Sequence, residues 1–149
     1  MKSRPILLLL LSAASTLNIF AADNPATPKS AVIHLSHEKV TAAFTGGGPL
    51  LATNNFKVQA GHRTGPGEVE IHDQDTDIFY ILEGSATFVT GGKAVEIRTT
   101  APGETRGKEI TGGDERHLSK GDVIIIPKGV PHWFKEVNGT LNYFVVKVR

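Results

Sequence analysis

The chain has 149 residues, with 16 Lys and Arg against 15 Asp and Glu, and no cysteine. This length allows one hydrophobic core and leaves no room for a second domain. The charge is nearly balanced and no basic cluster is interleaved with aromatic residues, so nucleic acid is not expected as a partner. The lack of cysteine excludes disulfides and thiolate zinc sites, which leaves His and carboxylate as the strong metal ligands.

Residues 1–22 have the pattern of a signal peptide. Lys2 and Arg4 form a positive start, Ile6–Leu11 is an unbroken apolar run, and Ile19–Ala22 offers a cleavage region. The apolar run is short and is followed by Ser, Thr and Asn, so no stable membrane span is expected after cleavage. We predict a periplasmic or secreted protein. An uncleaved amphiphilic anchor is the alternative.

The mature chain is predicted to begin with a linker and a short helix. Residues 23–30 contain two prolines and little that could pack, so they indicate a linker before a single domain over 31–149. Ser36 is an N-cap candidate for a helix whose apolar positions extend to Phe44. The Gly46–Pro49 run ends that helix.

From Phe56 onward the pattern is that of an all-β protein. Short alternating or continuous apolar runs, separated by glycine and proline, predict seven strands: 56–60, 69–72, 78–82, 86–90, 94–97, 123–126 and 141–148. Strands without intervening helices favour a β-sandwich or barrel. Glu83-Gly84-Ser85 is predicted to turn the chain between two antiparallel strands.

Residues 99–113 interrupt this pattern, because they are rich in Gly, Thr and charge and contain one large aliphatic side chain, Ile110. We predict a long loop here. Such a loop is often a lid or binding loop, although disorder explains its composition equally well. Glu104 and Arg106 are the residues in it that could reach a ligand.

Two segments fifty residues apart carry the candidate chemistry. In the first, Glu70 and His72 are two apart on a strand and therefore share a face. Asp77 begins the next strand and is expected to alternate inward with Phe79. In the second segment, His132 is expected to share an inward face with Phe134. The candidate donors Glu70, His72, Asp77 and His132 can thus converge from three strands.

Two imidazoles with one or two carboxylates suit Fe, Mn, Ni or Zn, and two His with one carboxylate leave coordination positions open for substrate or dioxygen. Asp77 is shorter than Glu, so it could instead orient a histidine from behind. The alternative is a metal-free barrel mouth whose polar residues hydrogen-bond a small ligand. Either reading implies a small-molecule ligand.

The two segments resemble the two signature motifs of the cupin superfamily over roughly Phe56 to Val148. The second motif matches at Gly121, Pro127, Gly129 and His132. It departs only at its terminal Asn, where this chain has Glu136. The first motif matches at His72 and Gly84. Glu70 stands where the family has its first His, and Asp77 where it has Glu. A second register would pair His72 with Gln74, which lies on the same face, and His62 is a further ligand candidate.

The resemblance implies a jelly-roll barrel of two antiparallel sheets, a metal inside it and often a homodimer. The metal ligands would be Glu70, His72, Asp77 and His132, with an additional pocket formed by His62, Gln74, Phe79 and Phe134. Three functions follow as hypotheses. The first is dioxygen-dependent oxidation of a small organic molecule. The second is isomerisation, with Glu70 or Asp77 as base and His132 as acid. The third is non-catalytic binding of a carbohydrate or other metabolite.

Overall fold

The protein is described here by a computed structural model covering residues 32–149. The predicted signal peptide and the predicted linker at 23–30 lie outside the described residues. Residues His34–Arg149 form one compact unit. Within the described part, the helix α1 (His37–Phe44) has eight residues, and no helix there has the length and apolar character needed to cross a membrane.

Eleven strands follow the helix in the described residues: β1 (Gly48–Ala52), β2 (Phe56–Arg63), β3 (Val69–His72), β4 (Thr76–Thr90), β5 (Lys93–Val95), β6 (Arg98–Ala101), β7 (Glu104–Gly107), β8 (Glu109–Thr111), β9 (Asp114–Ser119), β10 (Val123–Ile126) and β11 (His132–Val148). Each of the seven predicted strands overlaps one of these, two of them within the long β4. The apolar pattern missed β1 and the run from β6 to β9.

The helix forms where the sequence predicted it. The Ser36 side chain accepts a hydrogen bond from the backbone N–H of Lys39 at 3.4 Å, which satisfies one of the free donors of the first turn. Two residues beyond the C-cap, Gly47 has a φ of +76° and turns the chain into β1. The ring of Phe44 packs edge-on against Phe144 of β11 at 5.0 Å, which places the helix on the outside of the sheet.

The two longest strands, β4 and β11, belong to both layers of an all-β jelly roll. Their outer halves, 76–83 and 142–148, pair with each other, with β10 on one side and β2 then β1 on the other. Their inner halves, 85–90 and 132–138, pair with β9 on one side and with β3, β7 and β6 on the other. β5 and β8 form a separate two-stranded sheet.

The predicted hairpin at Glu83-Gly84-Ser85 is wrong, since β4 continues through these residues. Gly84 has a φ of +80°, and a Cβ there would lie 2.1 Å from the carbonyl oxygen of Thr140, so the two strands cross closely at a bend. The buried positions change parity across it, from Phe79 and Ile81 to Ala86 and Phe88. A one-residue shift turns side chains to the other face, so the bend keeps both halves facing one core.

The predicted loop at 99–113 is also wrong, because it contains most of β6, all of β7 and β8, and their turns. β7 pairs with β3 on one side and β6 on the other. The segment is polar because β7 turns Glu104 and Arg106 toward a cavity and β6 is exposed, so hydrophobic alternation could not reveal these strands.

The apolar core fills the space between the two layers next to that cavity. Its aromatic centre joins both halves of the long strands: Phe79 lies 5.9 Å from Phe88 and 5.7 Å from Phe134, and Phe134 lies 5.1 Å from Tyr143, between ring centroids. His132 borders this cluster, 6.2 Å from the rings of Phe79 and Phe88. The candidate site therefore rests on a rigid, closely packed floor.

Candidate metal centre

The four predicted donors come together at the cavity end of the barrel. Glu70 and His72 project from β3, and the pairing of β11 with β3 sets His132 directly opposite Glu70. Asp77 is the first inward residue of β4, and it alternates with Phe79 as predicted. His72, Asp77 and His132 are buried, whereas Glu70 remains partly open to the cavity.

Short distances separate the donor atoms. His72 Nε2 lies 3.2 Å from Glu70 Oε2 and 3.4 Å from Asp77 Oδ2. His132 Nε2 lies 3.6 Å from the same Asp77 oxygen. One ligand atom from each of Glu70, His72 and His132 falls within 4.8 Å of the other two, which is a spacing that one metal ion can bridge.

Each imidazole is held by a hydrogen bond at its Nδ1, the ring nitrogen that faces away from the other donors. Nδ1 of His72 hydrogen-bonds Glu104 Oε2 at 2.7 Å, and Nδ1 of His132 hydrogen-bonds the backbone carbonyl of Val130 at 3.0 Å. These acceptors assign the Nδ1 hydrogens, so both Nε2 atoms are directed at the common centre. The sequence allowed Asp77 to orient a histidine in this way. The residue that orients His72 through Nδ1 is instead Glu104.

The charges of the cluster favour a cation at its centre. Burial works against ionisation of Glu70, but the hydrogen bond with His72 and the charge of Arg106 bring its pKa down to about 2. Desolvation also opposes ionisation of Asp77, and the hydrogen bond with His72 and the charge of Lys147 outweigh it, so its pKa is lowered. Two ionised carboxylates therefore face the two rings.

The histidines respond in opposite directions. Burial disfavours charge on His72, yet its hydrogen bonds with Asp77 and Glu70 raise its pKa to about 9. Burial dominates at His132 and lowers its pKa, so its Nε2 is unprotonated at neutral pH. That state suits a metal ligand or a base.

Two buried polar atoms among the described residues have no hydrogen-bond partner, His132 Nε2 and Asp77 Oδ1. Buried polar atoms are usually paired, and an unpaired imidazole lone pair aimed at two carboxylates is what a divalent ion would satisfy. By this observation the residues fit a metal.

The site opens into a cavity of about 380 Å³. Besides the donors, its charged lining consists of Lys57, Arg63, Glu104, Arg106 and Lys147. Arg63 Nη2 lies 3.5 Å from Glu70 Oε1, and Arg106 Nη2 lies 3.7 Å from Glu70 Oε2. The two guanidinium groups thus stand at the solvent side of the donor set.

The four additional pocket candidates are not all at the cavity. Phe79 lines it, and Phe134 lies in the core beneath, with the Arg63 guanidinium 4.9 Å from its ring centroid. His62 hydrogen-bonds Asn142 at 2.8 Å and does not line the cavity. Gln74 is exposed in the turn between β3 and β4 and does not line it either.

Sequence reasoning missed Lys147. Its Nζ lies 2.5 Å from Asp77 Oδ2 and 2.8 Å from His72 Nε2, and its side chain is 11% exposed. A signal was present: Leu141, Tyr143 and Val145 are the buried positions of the last strand, and Lys147 continues that alternation. A lysine at an inward position is unusual enough to mark a site.

The family model for Cupin matches residues 53–149. This chain belongs to the cupin family. Among solved structures, BH2720 from Bacillus halodurans superposes with a TM-score of 0.55 at 13% identity, covering 83% of each chain. The DMSP lyase DddQ from Ruegeria pomeroyi gives 0.51 at 17% identity, covering 70% of this chain and 46% of the lyase. An RmlC-like cupin from Methanocaldococcus jannaschii, described as a double-stranded β-helix, gives 0.49 at 13% identity, covering 69% and 78%.

No curated protein matches the chain. The likenesses to BH2720 and DddQ, at 13% and 17% identity, show the fold alone and leave the reaction to be argued from the site.

Proposed function

We propose that this chain is an exported cupin that holds one divalent metal ion through Glu70, His72 and His132 and acts on a small organic acid. The observation that carries the proposal is the convergence of the three donors within 4.8 Å, with the His132 lone pair buried and unpartnered. Export is supported by the composition of residues 1–22 alone.

The donor set limits the metal. Two histidines and one carboxylate suit Fe(II), Mn(II), Ni(II) or Zn(II), and a three-residue set leaves positions open to a substrate. Metal binding at His72 would displace the proton that its raised pKa favours. Bound there, the metal would supply Lewis-acid or oxygen-activating chemistry. Glu104 and the Val130 carbonyl would hold the two rings in the ligating orientation, and the aromatic floor under His132 would exclude water.

The cavity lining supports an anionic substrate. Arg63 and Arg106 present guanidinium groups beside the donor set, and guanidinium binds carboxylates with two parallel hydrogen bonds. Glu70 lies within 4 Å of both arginines. If it coordinates a metal, part of its charge is taken up there, which leaves the arginines available to a second carboxylate. A cavity of about 380 Å³ suits a small metabolite.

For the reaction, we propose oxidation with dioxygen as co-substrate, since two histidines and one carboxylate are the arrangement of non-haem iron oxygenases. Metal-dependent binding without turnover is the competing function. An acid–base isomerisation with His132 as acid is less well supported, because burial keeps that imidazole unprotonated.

Metal analysis of protein purified without a histidine tag tests the proposal. We expect close to one iron, manganese, nickel or zinc per chain, lost in His132→Ala and strongly reduced in Glu70→Gln. His62→Ala is the matched control, because it removes an imidazole from β2 that lies outside the cavity, and it should keep the metal. Wild-type protein that neither carries a divalent ion nor gains thermal stability from one would contradict the metal site.

Oxygen consumption by the loaded protein, measured across a panel of small mono- and dicarboxylic acids, separates catalysis from binding. Acids that raise the melting temperature and also drive oxygen uptake support the oxidase or oxygenase function. Acids that raise it without uptake support the binding protein. In both cases Arg106→Met should weaken the effect of the acid, and the metal content of this variant is measured alongside, because Arg106 also pairs with Glu104 at 3.4 Å.

A further inference from the structure

The ammonium group of Lys147 lies inside the candidate metal centre, 2.8 Å from the ring nitrogen of His72 that a metal would need. We propose that Lys147 is a tethered cation that competes with the metal for His72 and Asp77, and that it sets how tightly this cupin holds its metal. The inference rests on the proposed metal function and adds a residue that antagonises it.

The competition follows from the chemistry of one nitrogen. Nδ1 of His72 is taken by Glu104, so Nε2 is the nitrogen left for a metal. Nε2 has a single lone pair. Lys147 Nζ stands 2.8 Å in front of that atom, so the ammonium and a metal ion cannot both occupy the space next to it. Lys147 must therefore leave Nε2 before His72 can coordinate.

The fold keeps Lys147 in this position. In the pairing of β11 with β4, Lys147 is directly opposite Asp77, and both side chains point inward. The Asp77 carboxylate, 1% exposed, holds the ammonium at 2.5 Å. The neighbouring strand places Lys57 opposite Lys147 on its other side, but Lys57 bonds Asp75 at 2.9 Å and does not contact the histidines.

The cavity gives the Lys147 side chain space to move away from His72. Its four-carbon stem is flexible, and it lines the cavity of about 380 Å³ together with the carboxylates of Glu70 and Glu104. A metal bound by His72 and His132 would repel the ammonium toward that space. A bound metal and an inward Lys147 ammonium therefore exclude each other. Both are cations that would neutralise the same carboxylates.

Metal affinity in matched variants tests this. Dissociation constants for Zn²⁺ and Mn²⁺ would be measured by competition with a chromophoric chelator on the full mature protein without a tag. We expect Lys147→Met to bind at least about tenfold more tightly than wild type, since the ammonium no longer has to be displaced from Asp77 and His72 before a metal can bind. Lys57→Met removes the same charge from the same cavity without touching His72, and its affinity should stay within about threefold of wild type.

Lys147→Met leaves Asp77 buried without its partner and could unfold, so Asp77→Asn and the double variant Asp77→Asn/Lys147→Met accompany it. The double variant should bind more tightly than Asp77→Asn alone. Equal affinity in wild type and in the Lys147 variants would overturn the inference while leaving the metal site in place. Equal tightening by Lys57→Met would overturn it too, because general charge would then explain the effect. If no variant binds a metal, the proposed function fails and the inference with it.

Discussion

The two ends of this barrel are built by the same strands in the same alternation and differ in what those strands place inside. On β4, Asp77 is followed inward by Phe79 and Ile81, and on β11 His132 is followed by Phe134. The apolar end is densely packed with aromatic rings, whereas the polar end holds charges, unpaired atoms and a cavity. The fold thus supplies the geometry, and a change of residue type at the same inward positions supplies the chemistry.

The largest expected effect tests whether stability resides at the apolar end. Phe88 is fully buried at the centre of the core, so Phe88→Ala should lower the free energy of unfolding by about 4 kcal/mol through lost burial and the cavity left behind. Urea unfolding measures it. Val123→Ala, at a side chain 60% exposed, should change it by less than about 1 kcal/mol.

The same pair of variants sharpens the comparison when metal affinity is measured on the folded protein. Because the Phe88 ring lies 6.2 Å from His132 between centroids, the two ends are in contact here, and Phe88→Ala should weaken metal binding by more than about threefold. A much weaker metal site in folded Phe88→Ala would show that the aromatic floor positions His132 directly.

The sequence predicted the apolar end well, since burial repeats with period two within each half of β4, at Phe79 and Ile81 and again at Ala86 and Phe88, and leaves a visible pattern. It also predicted that Glu70, His72, Asp77 and His132 would converge. It failed at 99–113, where β7 is held by backbone pairing with β3 and β6 while Glu104 and Arg106 face a polar cavity, and β6 is exposed. Alternation of apolar residues cannot report a strand whose inward face is charged.

A second, smaller effect concerns Glu104, which that segment brings to the site. Glu104 orients His72 through Nδ1, so Glu104→Ala should weaken metal binding by about 10- to 100-fold. Glu104→Gln keeps an oxygen that can accept the same hydrogen bond and should lose less. The chelator competition assay measures both.

Glu109→Ala is the control for this series, because Glu109 is an exposed glutamate on β8, two residues beyond the end of β7. It should bind metal as wild type does. If Glu104→Ala binds metal as tightly as Glu109→Ala, the hydrogen bond to His72 has no positioning role. A graded loss from Gln to Ala would instead separate orientation of the ring from the charge of the carboxylate.

Lys147 was not predicted as a site residue. Its inward position is readable from the alternation of β11, but its function depends on Asp77, which is seventy residues earlier in the chain and becomes its neighbour only through the pairing of β11 with β4. Contacts of this kind come from register. Register was not derivable here, because the bend at Gly84 and the irregularity at Asn138–Asn142 shift it by amounts that no local pattern encodes.

The smallest expected effect compares two neighbouring aspartates, Asp75 in the turn before β4 and Asp77 on β4 itself. Both are buried, but Asp75 is bonded by Lys57 at 2.9 Å and by Arg149 at 3.2 Å, while Asp77 keeps one oxygen unpaired. Desolvation opposes the charge on Asp75, and the hydrogen bond from Lys57 outweighs it, so its pKa is lowered. Asp75 therefore stabilises the barrel where β2 and the chain end meet the turn before β4, and it takes no part in the candidate metal centre.

A lowered pKa in the folded state means that Asp75 stabilises the protein above its ordinary pKa of 3.8, and that this stability is lost as the pH falls through the lowered value. Because Lys57 and Arg149 are partly exposed, the contribution is about 1 kcal/mol. Asp75→Asn should be less stable than wild type by that amount at pH 7 in urea unfolding, and the difference should shrink as the pH falls below the ordinary pKa of 3.8. Asp73→Asn, at an exposed position in the same turn, should show no such dependence. If the difference in stability persists unchanged in acid, Asp75 acts through packing and not through its charge. Its ion pairs with Lys57 and Arg149 would then not distinguish it from Asp77.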